Sequence, residues 1–395
     1  MKAFLKYLYC TLIISLIGCR ANPVFNPSEN LDYCLAQASK TLQTIPPEDS
    51  LLPRNIDRDK TEWHFVPGTD WTSGFWPGIL WLLYEYTGDE KWRMEANRFT
   101  RLLTPLSARP AHDHDLGFQM YCSFGNGYRL TQNPEYKAIL LRTADTLATL
   151  FNPRVGTILS WPGMKKDKNG LHNTIIDNMM NLELLFWASK NGGPHSLYDI
   201  AVRHAETTMK NQFRPDFSTY HAILYNDSTG ARIKGQTHQG YADESMWARG
   251  QAWAIYGYTM TYRETRDPKF LEVAQNAANL YLKRLPEDMI PYWDFDAPNI
   301  PNEPKDASAA AITASALLEL STLVSDKGIA KNYYEKAVKM LTSLSSEKYQ
   351  SLGKNSAFLL HCTGHKPAGT EIDASMIYGD YYYLEALLRL EKMKN

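Results

Sequence analysis

Signatures of metal binding, disulfide bonding and nucleic-acid binding are scarce in this sequence. Only 5 of the 395 residues are cysteine, and Cys34, Cys122 and Cys362 are the three that follow position 19. Because three is an odd number and no pair has CxxC spacing, a disulfide framework and a zinc knot are both disfavoured. The formal net charge is −1, so no basic surface favours binding to nucleic acid or to an anionic membrane.

Long hydrophobic runs are also few. The run at residues 7–17 follows Lys2 and Lys6, is too short to cross a bilayer as a helix, and has the layout of a secretory signal. It ends at Leu16–Cys19, whose sequence Leu-Ile-Gly-Cys resembles the lipobox of bacterial lipoproteins. An ordinary signal peptide with an incidental cysteine is the alternative. No other apolar run is long enough to cross a membrane.

The lipobox resemblance implies a division of the chain and a location. We expect residues 1–18 to be a lipoprotein signal peptide, Cys19 to carry the lipid, residues 19–27 to form a lipidated tether, and residues 28–395 to form a single domain. The protein would then belong to the bacterial cell envelope, on the periplasmic side or at the outer membrane. It would meet the membrane only through its N-terminal lipid anchor. No nucleic-acid partner is expected, and the oligomeric state is left open.

Signatures of the common catalytic folds are missing as well. The chain has no GxSxG elbow, Walker loop, Rossmann glycine pattern or HExxH motif. His112 and His114 alternate with Asp113 and Asp115, an arrangement that could suggest a metal site. No second His/Cys cluster has ligand spacing, however, so we expect no metal.

Helical periodicity is what the sequence has in abundance, with helix ends marked by Pro, Gly, Asp and Asn. The predicted helices span residues 28–44, 73–86, 90–106, 116–130, 134–150, 177–190, 196–212, 246–263, 268–284, 307–325, 330–347 and 374–391. Short strands are expected near Ile158–Trp161 and Tyr220–Tyr225. After the second of these, Asn226, Asp227 and Gly230 suggest a hairpin.

A weak internal repeat indicates how these helices are arranged. The pattern Tyr-x-x-Thr-x-Asp/Asn-x-x-aromatic occurs at 84–92, 128–136 and 262–270. Each copy ends one helix, turns, and caps the next helix with Asp or Asn, which describes a repeated helical hairpin. About six hairpins predict an all-α (α/α)6 barrel whose inner helices surround a pocket, with short β hairpins in its loops. An open solenoid is the alternative, but the apolar last helix, 376–390, favours a closed ring.

The segment 236–253 runs from a polar loop into an apolar helix and carries the first candidate site residues. Arg249 and Trp253 are four residues apart and therefore share a helix face. A guanidinium beside an indole suits a planar anionic ring such as a uronic acid. The alternative is an arginine that pairs with a core carboxylate among buried aromatic residues.

Acidic residues at loop–helix junctions are the second group of candidates. Asp115 and Asp177 each precede a helix with apolar neighbours, and Asp306 precedes an alanine-rich one. All three could be simple N-caps. Apolar surroundings also raise a carboxyl pKa and keep it protonated near neutrality, as a general acid requires. His221, in the second predicted strand, could point either into the core or into a pocket.

Five separated segments together resemble glycoside hydrolase family 88, the unsaturated glucuronyl hydrolases. They are Asp70–Gly78, His114–Phe118, Ile176–Leu182, His238–Trp253 and Ile377–Tyr382, and they cover nearly the whole chain in the right order. The resemblance implies the same (α/α)6 barrel. It also implies release of a 4,5-unsaturated uronic acid from the non-reducing end of lyase-generated oligosaccharides. Glycosaminoglycan disaccharides are the expected substrates. The family reaction hydrates the C4=C5 vinyl ether and needs no metal or organic cofactor.

The resemblance also implies roles for particular residues. Asp177 matches the general acid/base that protonates C4 and activates water, and Asp115 matches a second essential carboxylate that holds the sugar hydroxyls. The residues that match substrate-binding positions are His221, Gln239, Arg249, Trp253, His114, Trp71 and Trp161.

Two other functions are consistent with the same sequence. An unsaturated rhamnogalacturonyl hydrolase would share the fold and the hydration chemistry but act on pectin fragments. A non-catalytic glycan-binding lipoprotein would use the same aromatic pocket without turnover. Lys366 could meet a sulfate on the substrate, although an exposed lysine without such a role is the simpler interpretation.

Overall fold

The structure is a computed structural model that describes residues 25–45, 50–108, 110–167 and 170–394. The predicted signal peptide 1–18, the lipidation site Cys19 and all but the last three residues of the predicted tether 19–27 lie outside the described residues. Within these ranges no helix combines the length and hydrophobicity needed to cross a membrane.

All twelve predicted helices are present, together with one short helix that was not predicted. The α-helices are α1 Pro27–Thr44, α2 Phe75–Thr87, α3 Glu90–Arg101, α4 Asn126–Thr131, α5 Pro134–Ala148, α6 Pro162–Asp167, α7 Asn178–Lys190, α8 Ser196–Gln212, α9 Ala248–Thr265, α10 Pro268–Arg284, α11 Ala307–Leu323, α12 Lys327–Leu344 and α13 Ile377–Lys394. A π-helix, Gly117–Gly125, runs directly into α4. The helix predicted over 90–106 ends earlier, and a 3-10 turn at Thr104–Ala108 follows it.

Six inner helical segments form a closed ring. Each packs against the next in the order α2, the π-helix with α4, α7, α9, α11 and α13, and α13 packs back against α2. The helices α1, α3, α5, α8, α10 and α12 lie outside this ring. The predicted (α/α)6 barrel is therefore confirmed, and the open solenoid is wrong.

Burial follows from position in the ring. Every residue of α9 from Ala248 to Thr261 is buried, since an inner helix has neighbours on all sides. The outer helix α3 buries only one stripe, formed by Trp92, Ala96, Phe99 and Thr100. This difference explains why α9 is buried on all sides, polar residues such as Arg249 and Gln251 included, whereas α3 is amphipathic.

The repeated sequence pattern forms the turns between paired helices. At the first copy, Gly88 is left-handed (φ 67°) and its N–H donates to the carbonyl of Tyr84 at 2.8 Å. Asp89 then caps α3 by accepting from the N–H of Lys91. The copies at 128–136 and 262–270 repeat this geometry, with Asn133 and Asp267 as the caps.

Short strands lie at the end of the ring at which the inner helices begin. The strands are β1 Leu52–Ile56, β2 His64–Val66, β3 Phe151–Asn152, β4 Thr157–Ile158, β5 His172–Ile175, β6 Ala222–Tyr225, β7 Arg232–Gln236 and β8 Ser375–Met376. The predicted hairpin is present, because β6 and β7 pair antiparallel across Asn226–Ala231. The strand predicted at Ile158–Trp161 is shorter and begins one residue earlier, as β4. Strands β1, β2, β3, β5 and β8 were not predicted, since they are short and lack alternation.

Candidate active site

A cavity of about 450 Å³ lies where the inner helices begin. The loops and first turns of different inner helices supply its walls, so residues far apart in sequence meet there. Of the predicted site residues, six line it: Trp71, Asp115, Trp161, Asp177, Gln239 and Arg249. His114, His221 and Trp253 are buried behind the wall instead.

A second cavity, of about 220 Å³, lies between the inner helices and is lined in part by residues near the ends of α2, α4 and α13. Its acidic residues are paired with bases: Glu385 lies 3.5 Å from Arg389, and Glu85 lies 2.6 Å from Arg129. Despite its partial burial, the pKa of Glu85 is lowered by hydrogen bonds from Arg129 and Lys392, and these pairs serve the packing of the ring. The chemistry therefore belongs to the larger cavity.

Asp177 lies between β5 and α7 and does not cap the helix that follows it. Its backbone is already helical (φ −55°, ψ −29°) and its side chain makes no capping hydrogen bond. Oδ2 has no hydrogen-bond partner among the described residues, and 13% of the side chain is exposed. Burial raises the pKa of Asp177 to about 7, against the opposing pull of Arg249. The N-cap interpretation is wrong for this residue, whose carboxyl can exchange a proton near neutrality.

The pairing of β5 with β6 brings His221 to Asp177. The N–H of Ile176 donates to the carbonyl of His221 at 2.9 Å, which continues the ladder to the start of α7. Nδ1 of His221 accepts from the N–H groups of His238 and Gln239, both at 3.1 Å. Burial holds the pKa of His221 well below its usual range. The imidazole is therefore neutral with its proton on Nε2, which lies 3.7 Å from Oδ2 of Asp177.

Asp115 has a similar neighbour. Nε2 of His114 lies 3.5 Å from Oδ1 of Asp115. Asn181 accepts from the N–H of Phe118 at 2.9 Å, so its amide nitrogen is the donor to Nδ1 of His114 at 3.1 Å. Burial lowers the pKa of His114 to about 3, which leaves a neutral ring with its proton on Nε2. Each of the two cavity carboxyls thus faces the Nε2–H of a neutral, buried histidine.

Asp177 also influences Asp115. Burial, followed by the carboxyls of Asp113 and Asp177, raises the pKa of Asp115 well above its usual range. Asp113 is itself tied to the backbone, because its Oδ1 accepts from the N–H of Asp115 at 2.9 Å. A site with several clustered carboxyls retains a proton near neutrality.

Arg249 is more fully paired than the sequence indicated. Its guanidinium lies 3.0 Å from Asp306 and donates to the carbonyls of Thr363 and Gly364. It also lies over the ring of Trp247, 4.5 Å from the centroid. The core-carboxylate alternative is therefore realised, although Arg249 still forms part of the cavity wall.

Asp306 is the N-cap of α11, the structural role that its position before this helix allows. Its Oδ1 accepts from the N–H groups of Ser308 and Ala309, so it caps α11 while its Oδ2 holds Arg249. It is fully buried. Asp306 thus couples the first turn of α11 to the first turn of α9 rather than contacting the cavity.

Aromatic residues form two sides of the cavity. Trp71 lies 5.2 Å from the ring of Tyr378, and Trp161 lies 5.2 Å from the ring of His238. Trp253 lies behind the wall, 5.2 Å from Phe118, with only 1% of its surface exposed. A direct contact between Trp253 and substrate stays a prediction.

Several residues that line the cavity were not predicted by any pattern in the sequence. Arg54, from β1, pairs with Asp70 and with Glu371, the latter at 2.8 Å. His365 meets His238 with 3.3 Å between their Nε2 atoms. Local patterns could not indicate these residues, because the contacts of Arg54 with Glu371 and of His365 with His238 join segments separated by more than a hundred positions.

Two other candidate features were a sulfate contact at Lys366 and a metal site at residues 112–115. Lys366 pairs with Glu303 at 3.1 Å and lies over Trp293, outside the cavity wall. The segment 112–115 gathers no metal site, since the described part of the chain contains no group of three or more close metal-ligating side chains.

The comparisons with known proteins agree with this geometry. A family model described as Glycosyl Hydrolase Family 88 matches residues 49–393. The chain belongs to this family. It is 42% identical to an unsaturated glucuronyl hydrolase of Formosa agariphila, over 98% of this chain and 99% of that protein. It is 34% identical to an unsaturated chondroitin disaccharide hydrolase of Streptococcus pyogenes serotype M1, over 92% and 91% of the two chains.

Solved structures of relatives share the fold. One is a crystal structure of an unsaturated glucuronyl hydrolase specific for heparin, which is 42% identical to this chain. It superimposes with a TM-score of 0.87 over 93% of this chain and 97% of that one. The family resemblance inferred from the five sequence segments is confirmed.

Proposed function

We propose that this protein is a glycoside hydrolase that removes a 4,5-unsaturated uronic acid from the non-reducing end of lyase-generated oligosaccharides. Glycosaminoglycan disaccharides are the proposed substrates, because one relative is an unsaturated chondroitin disaccharide hydrolase and another is an unsaturated glucuronyl hydrolase specific for heparin. One observation carries the proposal. Asp177 is a carboxyl with a pKa of about 7 that lines the cavity, and its Oδ2 has no hydrogen-bond partner in the described structure.

A protonated carboxyl of this kind suits the hydration of an enol ether. Asp177 would give its proton to C4, and the ring oxygen would stabilise the positive charge that develops at C5. The resulting carboxylate would accept a proton from water as the water oxygen bonds to C5. The hemiketal formed in this way is unstable, and its ring opening leaves a ketone at C5 and a hemiacetal at C1. Collapse of this hemiacetal to an aldehyde breaks the glycosidic bond and releases the remaining sugar. Asp177 recovers its proton within the same cycle.

The other groups would bind and orient the sugar. Asp115 presents carboxyl oxygens to the same cavity and can accept hydrogen bonds from sugar hydroxyls. The Nε2–H groups of His221 and His114 lie just beyond hydrogen-bond distance of the two carboxyls, and such contacts often shorten when substrate binds. Trp71 and Trp161 supply apolar faces for the pyranose rings.

The deciding experiment follows the ultraviolet absorbance of the unsaturated uronate. Disaccharides produced by chondroitin, hyaluronan and heparin lyases are incubated with the wild-type protein and with Asp177→Asn, a variant that preserves shape and removes the proton donor. We expect the absorbance to fall with the wild type, at a rate about 10² to 10⁴ times that of the variant. A fall with pectin fragments alone would assign the rhamnogalacturonyl activity instead, and binding without any fall would assign a non-catalytic glycan-binding protein.

We also propose that the protein is a lipoprotein of the bacterial cell envelope. The support is the sequence at Leu16–Cys19 and the apolar run that precedes it. Expression of the full chain with Cys19→Ser tests this proposal by cell fractionation. The wild type is expected in the membrane fraction and the variant in the soluble fraction, and identical distributions would exclude an anchor at Cys19.

A further inference from the structure

A groove adjoins the candidate active site on one side. It has a volume of about 680 Å³, is open to solvent, and shares Arg54, Thr370 and Glu371 with the catalytic cavity. On the opposite side, near Met164, the neighbouring depression has a volume of only about 40 Å³. A sugar chain that leaves the cavity therefore has room to continue in one direction, across the shared residues and into the groove.

An ion pair forms the boundary between cavity and groove. Nε of Arg54 lies 2.8 Å from Oε1 of Glu371, and Arg54 also pairs with Asp70. Glu371 has a positive φ of 54°, an unusual conformation for a residue other than glycine. Such conformations persist where the surroundings hold them, and they are frequent at ligand-binding sites.

A cation is positioned on the far side of the groove. Arg58, in the turn after β1, lies 3.3 Å from Oδ2 of Asp373, and Asp373 in turn is bonded through Oδ1 to Nδ1 of His361. The side chain of Arg58 is nevertheless 69% exposed. Lys60 is exposed in the same turn. His361 holds Asp373, and Asp373 in turn orients the guanidinium of Arg58 while leaving it exposed to solvent.

The remaining charged residues of the groove limit what it can recognise. Asp57 and Asp59 also line it, and Asp57 accepts from the side-chain amide of Asn55 at 2.8 Å. These carboxylates can accept hydrogen bonds from sugar hydroxyls. They offset the positive charge of Arg58 and Lys60, so the groove as a whole does not attract anions. We expect anions to bind only at the edge of the groove that Arg58 and Lys60 form.

We propose that this groove binds the third and fourth sugar units of an unsaturated oligosaccharide, and that Arg58 and Lys60 contact carboxylate or sulfate groups on them. The inference rests on the proposed function and deepens it. It predicts that the protein prefers anionic oligosaccharides longer than a disaccharide.

Size-defined substrates from one chondroitin lyase digest test the groove. The wild type is expected to turn over the unsaturated tetrasaccharide with a kcat/KM about three- to fivefold above that of the disaccharide, the size of an exposed ionic contact. Arg58→Ala/Lys60→Ala should remove that advantage and leave the disaccharide unchanged. Lys331→Ala, on the outer helix α12, is the control, since its side chain is 75% exposed and remote from the groove. High salt should reduce the advantage in the same way.

Equal kcat/KM values for the two lengths in the wild type would overturn the proposal, as would a loss on both substrates in the double variant. Equilibrium titration of Asp177→Asn with the same two sugars separates the groove from the proposed function. Tighter binding of the tetrasaccharide, lost when Arg58 and Lys60 are also replaced, supports the groove even if the wild type turns over neither sugar. Equal affinity for the two sugars refutes it.

Discussion

Nε2 of His221 lies 3.7 Å from Oδ2 of Asp177, and the tautomer of the imidazole is set from behind by two backbone N–H groups. A neutral donor therefore faces a carboxyl whose pKa is raised to about 7. Burial keeps a proton on Asp177 at rest, and the Nε2–H of His221 is a donor that can stabilise the carboxylate once the proton has left.

The pH profile of kcat/KM should fall at high pH, and the ionisation of Asp177 should set this alkaline limb. Because the protonated form is the reactive one, we expect kcat/KM to fall about tenfold per pH unit above a midpoint of about 7. The measurement is the initial rate between pH 5 and pH 9 at low substrate concentration. An activity that rises through this range would show that the ionised carboxyl is the required form.

The same pKa predicts a change in stability. Burial disfavours the ionised form in the folded state, so the folded protein loses stability as the pH rises from the ordinary value of 3.8 to about 7. Asp177→Asn lacks this penalty, and its advantage over the wild type should reach a few kcal/mol (~2–4) above pH 7 and vanish near pH 4. Thermal unfolding of both proteins at the two pH values measures it. An advantage that does not depend on pH would assign the difference to another cause.

Two substitutions separate the functions of the two nitrogens of His221. Asn at this position can still accept from the N–H groups of His238 and Gln239 but cannot reach Asp177, whereas Phe loses both interactions. We expect His221→Asn to keep nearly the wild-type Tm and to move the alkaline limb to higher pH, because the ionised carboxyl loses a donor. His221→Phe should in addition lower the Tm, since it leaves buried N–H groups unpaired at a cost of about 1–3 kcal/mol. An unchanged alkaline limb in both variants would exclude an influence of Nε2 on Asp177.

Arg249 should matter for stability as well as for binding. Its removal leaves Asp306 as an unpaired charge in the core, so Arg249→Ala should destabilise the fold by about 3–5 kcal/mol. The double variant Arg249→Ala/Asp306→Asn should recover part of that loss but should not recover kcat/KM. Chemical denaturation and kinetics of the three proteins provide the comparison. Full recovery of activity in the double variant would restrict Arg249 to a structural role.

The close approach of the π-helix to α7 can be tested with glycine substitutions. A Cβ on Gly117 would lie 2.4 Å from Cα of Asn181, the residue that orients His114. Gly117→Ala should therefore lower both the Tm and the activity, by roughly 1–3 kcal/mol in stability. Gly163→Ala is the matched control, because a Cβ there meets no described atom within 4 Å although Gly163 also lines the cavity. Equal effects of the two substitutions would contradict the packing argument.

Local sequence was sufficient for the helices and their connections. The hairpin turns at 84–92, 128–136 and 262–270 depend on contacts within nine residues, such as the cap that Asp89 provides for Lys91. The hairpin after β6 is equally local. The positions of Asp115 and Asp177 at helix starts could be read for the same reason, although the absence of a capping hydrogen bond at Asp177 could not be.

Tertiary structure decided which side chains meet in the cavity and in what chemical state. Asp306 is the partner of Arg249 across 57 positions, and Arg54 reaches Glu371 across 317. The π-helical form of Gly117–Gly125 accompanies its tight packing against Asn181. The pKa of Asp177 depends on burial by elements from the whole ring. The amino-acid sequence by itself determined the helices and the hairpins, because those features follow from periodicity and short-range turns, and its five motif segments carried the family resemblance. Ring closure alone determined the site, because desolvation and pairing are properties of neighbours brought together from distant parts of the chain.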